Sequence, residues 1–169
     1  MRIRISRTAL LALVAGAVVV APVAASFAQD AERTIKVRRA AMKELSTHNK
    51  AIAAFLKGTN DPKKVKALGT LGDMEIRVQA IAGTARRIVA LFPKGTGMNA
   101  FPGKKTGAKV EIWSDAAGFK AAADKLMTLA AAAEKAAASG DEKAFAAAFG
   151  KVGKDGCGGC HKTFRQKLN

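Results

Sequence analysis

The stretch Cys157–His161, of sequence CGGCH, limits the possible folds of this chain more than any other stretch. Its spacing, C-x-x-C-H, is typical of the covalent attachment of a c-type haem. The two thiols can form thioethers with the haem vinyl groups, and the histidine that follows can ligate the iron. Positions i, i+3 and i+4 of a helix share one face. A single helical turn therefore presents Cys157, Cys160 and His161 to the same porphyrin.

Other uses of two cysteines and a histidine fit this chain less well. A structural zinc site needs four ligands, and the only other histidine is His48, which has no partner motif. A thioredoxin-like pair follows a strand and begins a helix, whereas here sequence typical of a helix runs into the motif. A disulfide between cysteines three positions apart on a helix would have strained geometry. The pattern therefore predicts one covalent haem c.

The amino-terminal residues have the features of a secretory signal peptide. Three arginines lie within the first seven residues, residues 9–25 are almost entirely apolar, and small residues precede a predicted cut after Ala28. An uncleaved membrane anchor is the alternative, because the apolar run is close to the short end of a spanning length; Pro22 and the small residues favour cleavage. We therefore predict a leader at residues 1–28, one haem-binding domain at residues 29–169, and a periplasmic location.

The chain is strongly basic, with 29 lysines and arginines against 13 acidic residues and a net charge of +16. Removal of the predicted leader would leave a charge of +13. A nucleic-acid partner is not expected for an exported protein. Most of these charges are interpreted as a solvated lysine-rich surface, and the remainder would steer acidic partners or anionic membranes.

The mature sequence predicts an all-α domain, because alanine is abundant and long alternating runs are missing. Four amphipathic helices with a cofactor motif on the last one indicate an antiparallel up-down-up-down four-helix bundle, with the haem near the C-terminal helix. The first helix is expected to end at Gly58, and residues 93–107 form a linker rich in proline and glycine. The predicted helix starts are Asp30, Asp61 with Pro62, Ser114, and either Ser139 or Asp141.

Two members of the first helix's apolar seam are unusual for a core. Arg38 either lies at the rim of the core with its guanidinium in solvent, or lies near a haem propionate. Met42 either fills space in the core or places its thioether over the iron. In the predicted bundle Met42 and His161 lie at the same end. Phe92, at the start of the linker, covers a haem edge or packs locally.

The chain resembles the class II c-type cytochromes, the family of cytochrome c-prime and its low-spin relatives. The resemblance spans nearly the whole mature chain, and the position of the haem motif near the carboxyl end is itself characteristic. The residues that carry the resemblance are Arg38, Met42 and Lys43, the stretches Phe92–Thr96 and Glu111–Asp115, and Cys157–His161 followed by Phe164 and Arg165.

The resemblance implies two alternatives for the sixth iron position. In the low-spin branch a methionine of the first helix ligates the iron, and in the cytochrome c-prime branch an apolar residue crowds an open, high-spin site that binds nitric oxide or carbon monoxide. Met42 matches this position, and its pairing with Lys43 favours the low-spin branch. The resemblance also implies that Arg38 and Arg165 lie near the haem. It further implies that aromatic residues surround the haem, namely Phe92, Trp113 and Phe164.

We therefore expect an exported mono-haem electron carrier, ligated by His161 and Met42, with a gas-binding protein as the alternative. Positioned acid–base or nucleophilic groups are not evident, so no enzymatic activity is predicted. The expected partners are redox proteins with acidic surfaces, together with nitric oxide or carbon monoxide in the alternative. Apolar residues such as Val37 and Phe55 would suit a homodimer face.

Overall fold

The computed structural model describes residues 21–58, 67–103 and 106–168, with side chains described from Gln29 onward. Its helices are α1 (Ala21–Lys57), α2 (Leu71–Arg87), α3 (Glu111–Ser114), α4 (Ala116–Ala138), α5 (Glu142–Lys151) and α6 (Gly159–Phe164). A short 3-10 turn at Val89–Leu91 follows α2, and a π-helix at Val152–Gly158 joins α5 to α6. The prediction of an all-α four-helix bundle is confirmed: the bundle consists of α1, α2, α4 and the composite C-terminal helix.

Helix α1 ends where the sequence predicts and is longer than predicted at its start. Lys57 is its last residue, and Gly58 follows with φ of +64°. The described part of the helix runs from Ala21, across the expected cut after Ala28, rather than from Asp30. Alanine-rich sequence on both sides of that position favours a continuous helix.

Helix α2 begins at a capping box that the sequence analysis missed. Thr70 Oγ1 accepts a hydrogen bond from the Asp73 backbone N–H at 3.2 Å, and Asp73 Oδ2 accepts one from the Thr70 N–H at 2.7 Å. Gly69 precedes it with φ of +83°. The start predicted at Asp61 and Pro62 lies outside the described residues. Thr70 with Asp73 nevertheless sets the start of the helix that carries the core seam.

Two further helix starts depend on aspartate. Asp115 Oδ1 accepts from the Gly118 N–H at 2.9 Å and caps α4, so the prediction of Ser114 as the cap is wrong. The Ser114 hydroxyl instead donates to the Val110 carbonyl at 3.4 Å. Asp141 Oδ1 accepts from the Ala144 N–H at 2.8 Å and caps α5, as predicted.

Only some of the apolar residues of α4 face the core. The fully buried residues of α4 are Phe119, Ala123, Leu126, Ala130, Ala133 and Ala137. Ala122, Leu129 and Ala136, each one position before a buried alanine, are half-buried. Because alanine occupies 12 of the 23 positions, hydrophobicity alone does not indicate which alanine faces the core.

The C-terminal helix widens into a π-helix that includes the first cysteine of the motif, Cys157. A Cβ added at Gly156 would lie 2.9 Å from Leu126 Cδ1, so this turn passes close to α4. Single π turns inside α-helices are often found at functional sites. The π-helix was not predicted, and it sets the rotation at which the cysteine motif enters α6.

The bundle is solid at one end and open at the other. At the solid end Ile52, Met74, Val78 and Phe145 are fully buried, together with alanines of α4. Helix α2 packs between α1 and α4, and α5 packs on α4. Within the described residues, no helix has the length and apolarity needed to cross a membrane.

Candidate haem site

The open end of the bundle contains a cavity of about 690 Å³ between α1, the end of α2, the start of α4 and the C-terminal helix. This volume lies within the range of about 300–1,000 Å³ that is usual for cofactor sites. Its apolar lining includes Met42, Leu45, Ile88, Phe92, Ala108, Ile112, Phe119, Leu126, Phe164 and Leu168. The cavity therefore has the size and apolar walls that a flat cofactor requires.

The two thiols and the imidazole of the sequence motif line this cavity together. Cys157 and Cys160 are free and half-buried. Burial raises the pKa of both thiols, and the neighbouring Cys157 also raises the pKa of Cys160. Burial, with a smaller contribution from the Arg165 charge, lowers the pKa of His161. The imidazole is therefore neutral at neutral pH, which is the form that ligates a metal.

These features fit a covalent haem. The donor set is two uncombined thiols three positions apart and a neutral imidazole beside the second, all facing one apolar cavity. When bound, the haem would supply an iron centre that changes oxidation state and takes small ligands. Within the described residues, no group of three or more histidine, cysteine or acidic side chains is placed to hold a metal ion.

Helix α1 supplies the wall of the cavity on which Met42 lies. Met42 is half-buried and lines the cavity with Leu45, Ser46 and Asn49. The spacing of these four residues places them on one face of the helix. The structure thus brings Met42 and His161 from two different helices to a single cavity.

Arg38 is buried, with 3% of its surface exposed, and holds the loop that follows α2. Its Nη1 donates to the Thr96 hydroxyl at 3.0 Å and to the Leu91 carbonyl at 3.4 Å. Its Nη2 donates to the Thr96 carbonyl at 2.8 Å and to the Thr106 hydroxyl at 2.6 Å. Burial lowers the pKa of Arg38 to about 10, so the guanidinium is still a cation at neutral pH. Four of its five N–H groups therefore bind the loop.

Aromatic side chains form a continuous edge of the cavity. The Arg38 guanidinium lies 4.5 Å from the centroid of the Phe92 ring. The Phe92 ring meets Phe119 edge-on at 4.9 Å, and Phe119 meets Phe164 edge-on at 5.2 Å. Phe119 was not predicted as a site residue, because its spacing with the other apolar residues of α4 indicates only a core position.

Trp113 lies outside the cavity lining. Its Nε1 donates to the Phe92 carbonyl at 2.9 Å, and its ring packs on the loop, where a Cβ at Gly97 would lie 2.6 Å from Trp113 Cζ3. Trp113 thus supports the backbone of Phe92 from behind the lining.

The chain after the motif is tied to the end of the same loop. Backbone hydrogen bonds join the Lys109 N–H to the Phe164 carbonyl at 3.2 Å and the Gln166 N–H to the Gly107 carbonyl at 2.8 Å. An isolated antiparallel bridge links Ala108 to Arg165. Arg165 itself is exposed and lines the cavity.

The charges around the cavity have one sign. Its described lining contains Arg38, Arg39, Arg165 and Lys167, and no aspartate or glutamate among the side chains that face it. An anionic group such as a haem propionate is therefore stabilised there. Arg39 and Lys167 were not predicted, because one more basic residue in so basic a chain is not distinctive.

Comparison with known proteins agrees with this geometry. The family model described as Cytochrome C' matches residues 33–165. A cytochrome c' of Pararhodospirillum photometricum is 35% identical over 135 residues, which cover 80% of this chain and 98% of that protein. Cytochrome c-556 of Agrobacterium tumefaciens strain II Chrys is 33% identical over 139 residues, covering 79% of this chain and 97% of that protein.

Solved structures with the same fold belong to the same group. Cytochrome c' of Thermochromatium tepidum matches with a TM-score of 0.68 and 28% identity, covering 81% of this chain and 97% of that one. The nitric oxide complex of a mutant cytochrome c prime from Alcaligenes xylosoxidans matches with a TM-score of 0.66 and 28% identity, covering 82% of this chain and 97% of that one.

Fold and site together define a mono-haem c-type cytochrome built on a four-helix bundle, with haem c as its covalent, iron-containing cofactor. The chain belongs to the cytochrome c' family. The resemblance stated from the sequence is confirmed at the level of the family.

Proposed function

We propose that this protein is an exported cytochrome that binds a diatomic gas, nitric oxide or carbon monoxide, at the iron face beneath α1. Cys157 and Cys160 hold the haem, and His161 ligates the iron. Met42 crowds the opposite coordination position without closing it. Arg38, Arg165 and Phe92 bound the haem on its charged and aromatic sides, together with Phe164.

The observation that carries this proposal is the composition of the cavity. It joins the complete attachment motif to the residues of α1 that line the cavity, among which Met42 carries the only sulfur. The structural relative solved as a nitric oxide complex, at 28% identity and a TM-score of 0.66, supports gas binding at such a site. This preference differs from the electron-transfer function that the sequence favoured through the pairing of Met42 with Lys43.

Electron transfer with Met42 as the sixth ligand remains a second candidate. It is favoured by the presence of Met42 on the cavity wall and by the 33% identity to a cytochrome c-556. In this candidate the exposed cations at the cavity, Arg39, Arg165 and Lys167, would attract a redox partner with an acidic surface.

The haem-attachment motif and the leader sequence support a periplasmic location for either candidate. Haem attachment of this type takes place outside the bacterial cytoplasm, and residues 1–28 have the composition of a cleaved leader. Residues 29–169 then form the mature domain, which acts by binding rather than by turnover.

Optical spectroscopy of the haem-loaded mature protein tests the proposal. We expect a high-spin spectrum that shifts when carbon monoxide is added to the ferrous protein, and tighter carbon monoxide binding in Met42→Ala because crowding is relieved. Sharp low-spin bands that resist carbon monoxide, and that become high-spin in Met42→Ala, would favour the electron-transfer candidate instead.

A further inference from the structure

The cavity separates two helices that make little direct contact with each other. Within the described residues, α1 packs on α2 and on the 3-10 turn after it, and its backbone contact with the C-terminal helix is marginal. Met42 enters the cavity from α1 and His161 from α6. The spacing of these two residues is therefore not fixed by direct packing of their helices, and contacts elsewhere must set it.

Four residues of the loop that follows α2, Thr106–Lys109, bridge the gap, and we name them the clasp. On the α1 side, Thr106 Oγ1 accepts a hydrogen bond from Arg38 Nη2 at 2.6 Å. The same oxygen accepts one from the Ala108 N–H at 3.1 Å, so the clasp folds around this hydroxyl. Arg38 and Thr106 are both buried, and a buried hydrogen bond from a cation is stronger than a neutral one. The clasp is thus firmly joined to α1.

On its other side the clasp is joined to the chain that leaves α6. The Lys109 N–H donates to the Phe164 carbonyl at 3.2 Å, and the Gln166 N–H donates to the Gly107 carbonyl at 2.8 Å. Lys109 Nζ also donates to the Thr163 carbonyl at 2.9 Å. Any side chain at position 107 would collide with the Gln166 carbonyl oxygen, so only glycine permits this close approach. The clasp therefore holds the end of α6 by its backbone.

Each of these connections lies one helical turn from a residue expected at the iron. Arg38 precedes Met42 by four positions, so the two share one face of α1 and lie about 6 Å apart along its axis. The Arg165 N–H donates to the His161 carbonyl at 3.2 Å, so the chain held by the clasp begins on the turn that carries the imidazole. Contacts thus run without interruption from the turn of Met42, through the clasp, to the turn of His161.

We propose that the clasp positions α1 relative to α6 and so sets how tightly Met42 crowds the open iron position, with Thr106 as the positioning residue. This inference rests on the proposed gas-binding function. Thr106 acts through Arg38 rather than through contact with a gas. Without the Thr106 hydroxyl, Arg38 Nη2 keeps its hydrogen bond to the Thr96 carbonyl at 2.8 Å. The protein should therefore stay folded but hold Met42 less firmly.

The test uses the haem-loaded mature protein and the variants Thr106→Val and Thr106→Ser, of which only the second keeps a hydroxyl. Thr128→Val is the matched control, because the Thr128 hydroxyl donates to the Asp124 carbonyl of its own helix at 3.0 Å. Three quantities are measured: the rate of carbon monoxide association with the ferrous protein, the iron–histidine stretching frequency by resonance Raman spectroscopy, and amide hydrogen exchange at Lys109 and Gln166.

We expect Thr106→Val to bind carbon monoxide about two- to tenfold faster, the change that corresponds to one hydrogen bond, because Met42 yields more easily. The iron–histidine frequency should shift and both amides should exchange faster, because α1 no longer steadies the clasp. Thr106→Ser should restore all three quantities, and Thr128→Val should leave them unchanged. Loss of stability without these changes in Thr106→Val, or failure of Thr106→Ser to restore them, would overturn the proposal.

A double-mutant cycle with Met42→Ala shows whether Thr106 acts through Met42. In the Met42→Ala background, Thr106→Val should leave the rate of carbon monoxide association unchanged, because no bulky side chain remains to crowd the iron. An equal acceleration in both backgrounds would mean that Thr106 controls access by another route, and the positioning role would be refuted.

Failure of this inference can be separated from failure of the gas-binding function. A low-spin ferric spectrum of the unmutated protein that becomes high-spin in Met42→Ala would show that the gas-binding function is wrong. The clasp is then tested by the fraction of high-spin iron in Thr106→Val, which should rise because Met42 is held less firmly. An unchanged fraction, together with unchanged amide exchange, refutes the role of the clasp.

Discussion

Replacing Arg38 with methionine should loosen the loop that closes the cavity. The change removes four hydrogen bonds to the loop and the contact with the Phe92 ring, while conserving much of the side-chain volume. The hydroxyls retain partners, since Thr96 Oγ1 donates to the Pro93 carbonyl at 2.8 Å and Thr106 Oγ1 accepts from the Ala108 N–H at 3.1 Å. The main loss is therefore the charged hydrogen bond to the buried Thr96 carbonyl.

The expected loss in the free energy of unfolding follows from these contacts. A charged hydrogen bond whose partner stays buried is worth about 1–3 kcal/mol, and a cation over an aromatic ring about 0.5–2 kcal/mol. Relief of the buried positive charge offsets part of this sum. We expect the free energy of unfolding of Arg38→Met to fall by about 2–3 kcal/mol, which for a domain of this size lowers the Tm by about 6–12 °C.

Guanidinium unfolding of the haem-loaded mature protein, followed by circular dichroism, measures this change. Arg39→Met is the control, because the neighbouring Arg39 is exposed and should change stability by less than about 0.5 kcal/mol. A double-mutant cycle of Arg38→Met with Thr106→Val should give a coupling energy near 1 kcal/mol. Unfolding of Arg38→Met at the midpoint of the unmutated protein, or a coupling energy of zero, would refute the assignment of Arg38 as the anchor of the loop.

Two further predictions concern the loop and the start of α2. Gly97→Ala should displace the ring of Trp113 and break its hydrogen bond to the Phe92 carbonyl, so unfolding should require about 1–3 kcal/mol less; an unchanged denaturation midpoint would exclude this contact. Hydrogen bonds from the Thr70 backbone and hydroxyl lower the pKa of Asp73 from its usual 3.8. The ionised carboxylate therefore stabilises the fold above pH 3.8. This contribution is lost as the pH falls through the lowered pKa. Asp73→Asn should therefore be less stable than the parent at pH 7 and equally stable in strong acid, as unfolding at the two pH values will show; a stability gap that is independent of pH would contradict the capping box.

The haem-attachment motif and several helix boundaries could be predicted because each depends on a short stretch of sequence. The attachment motif holds Cys157, Cys160 and His161 within five consecutive residues, and all three line one cavity. The helix stop at Gly58 and the cap at Asp141 depend on single residues with strong local preferences. The seam residues of α2, such as Val78, are buried as their spacing indicates.

The features that could not be predicted depend on tertiary packing. The π-helix at Val152–Gly158 arises where the backbone at Gly156 approaches Leu126, a contact between residues distant in sequence. The partners of Arg38 lie 53 to 68 positions away in the loop, and no local pattern pairs them. Ser46 and Asn49 line the cavity, but no local sequence pattern identifies them as site residues.

The spin state of the ferric iron, measured by electron paramagnetic resonance on the mature protein before any ligand is added, tests the central claim most directly. The account predicts a high-spin signal, because His161 is then the only axial protein ligand and Met42 stands beside an open position. A low-spin signal in the unmutated protein that becomes high-spin in Met42→Ala would contradict the account, since it would mean that Met42 closes the site on which gas binding depends.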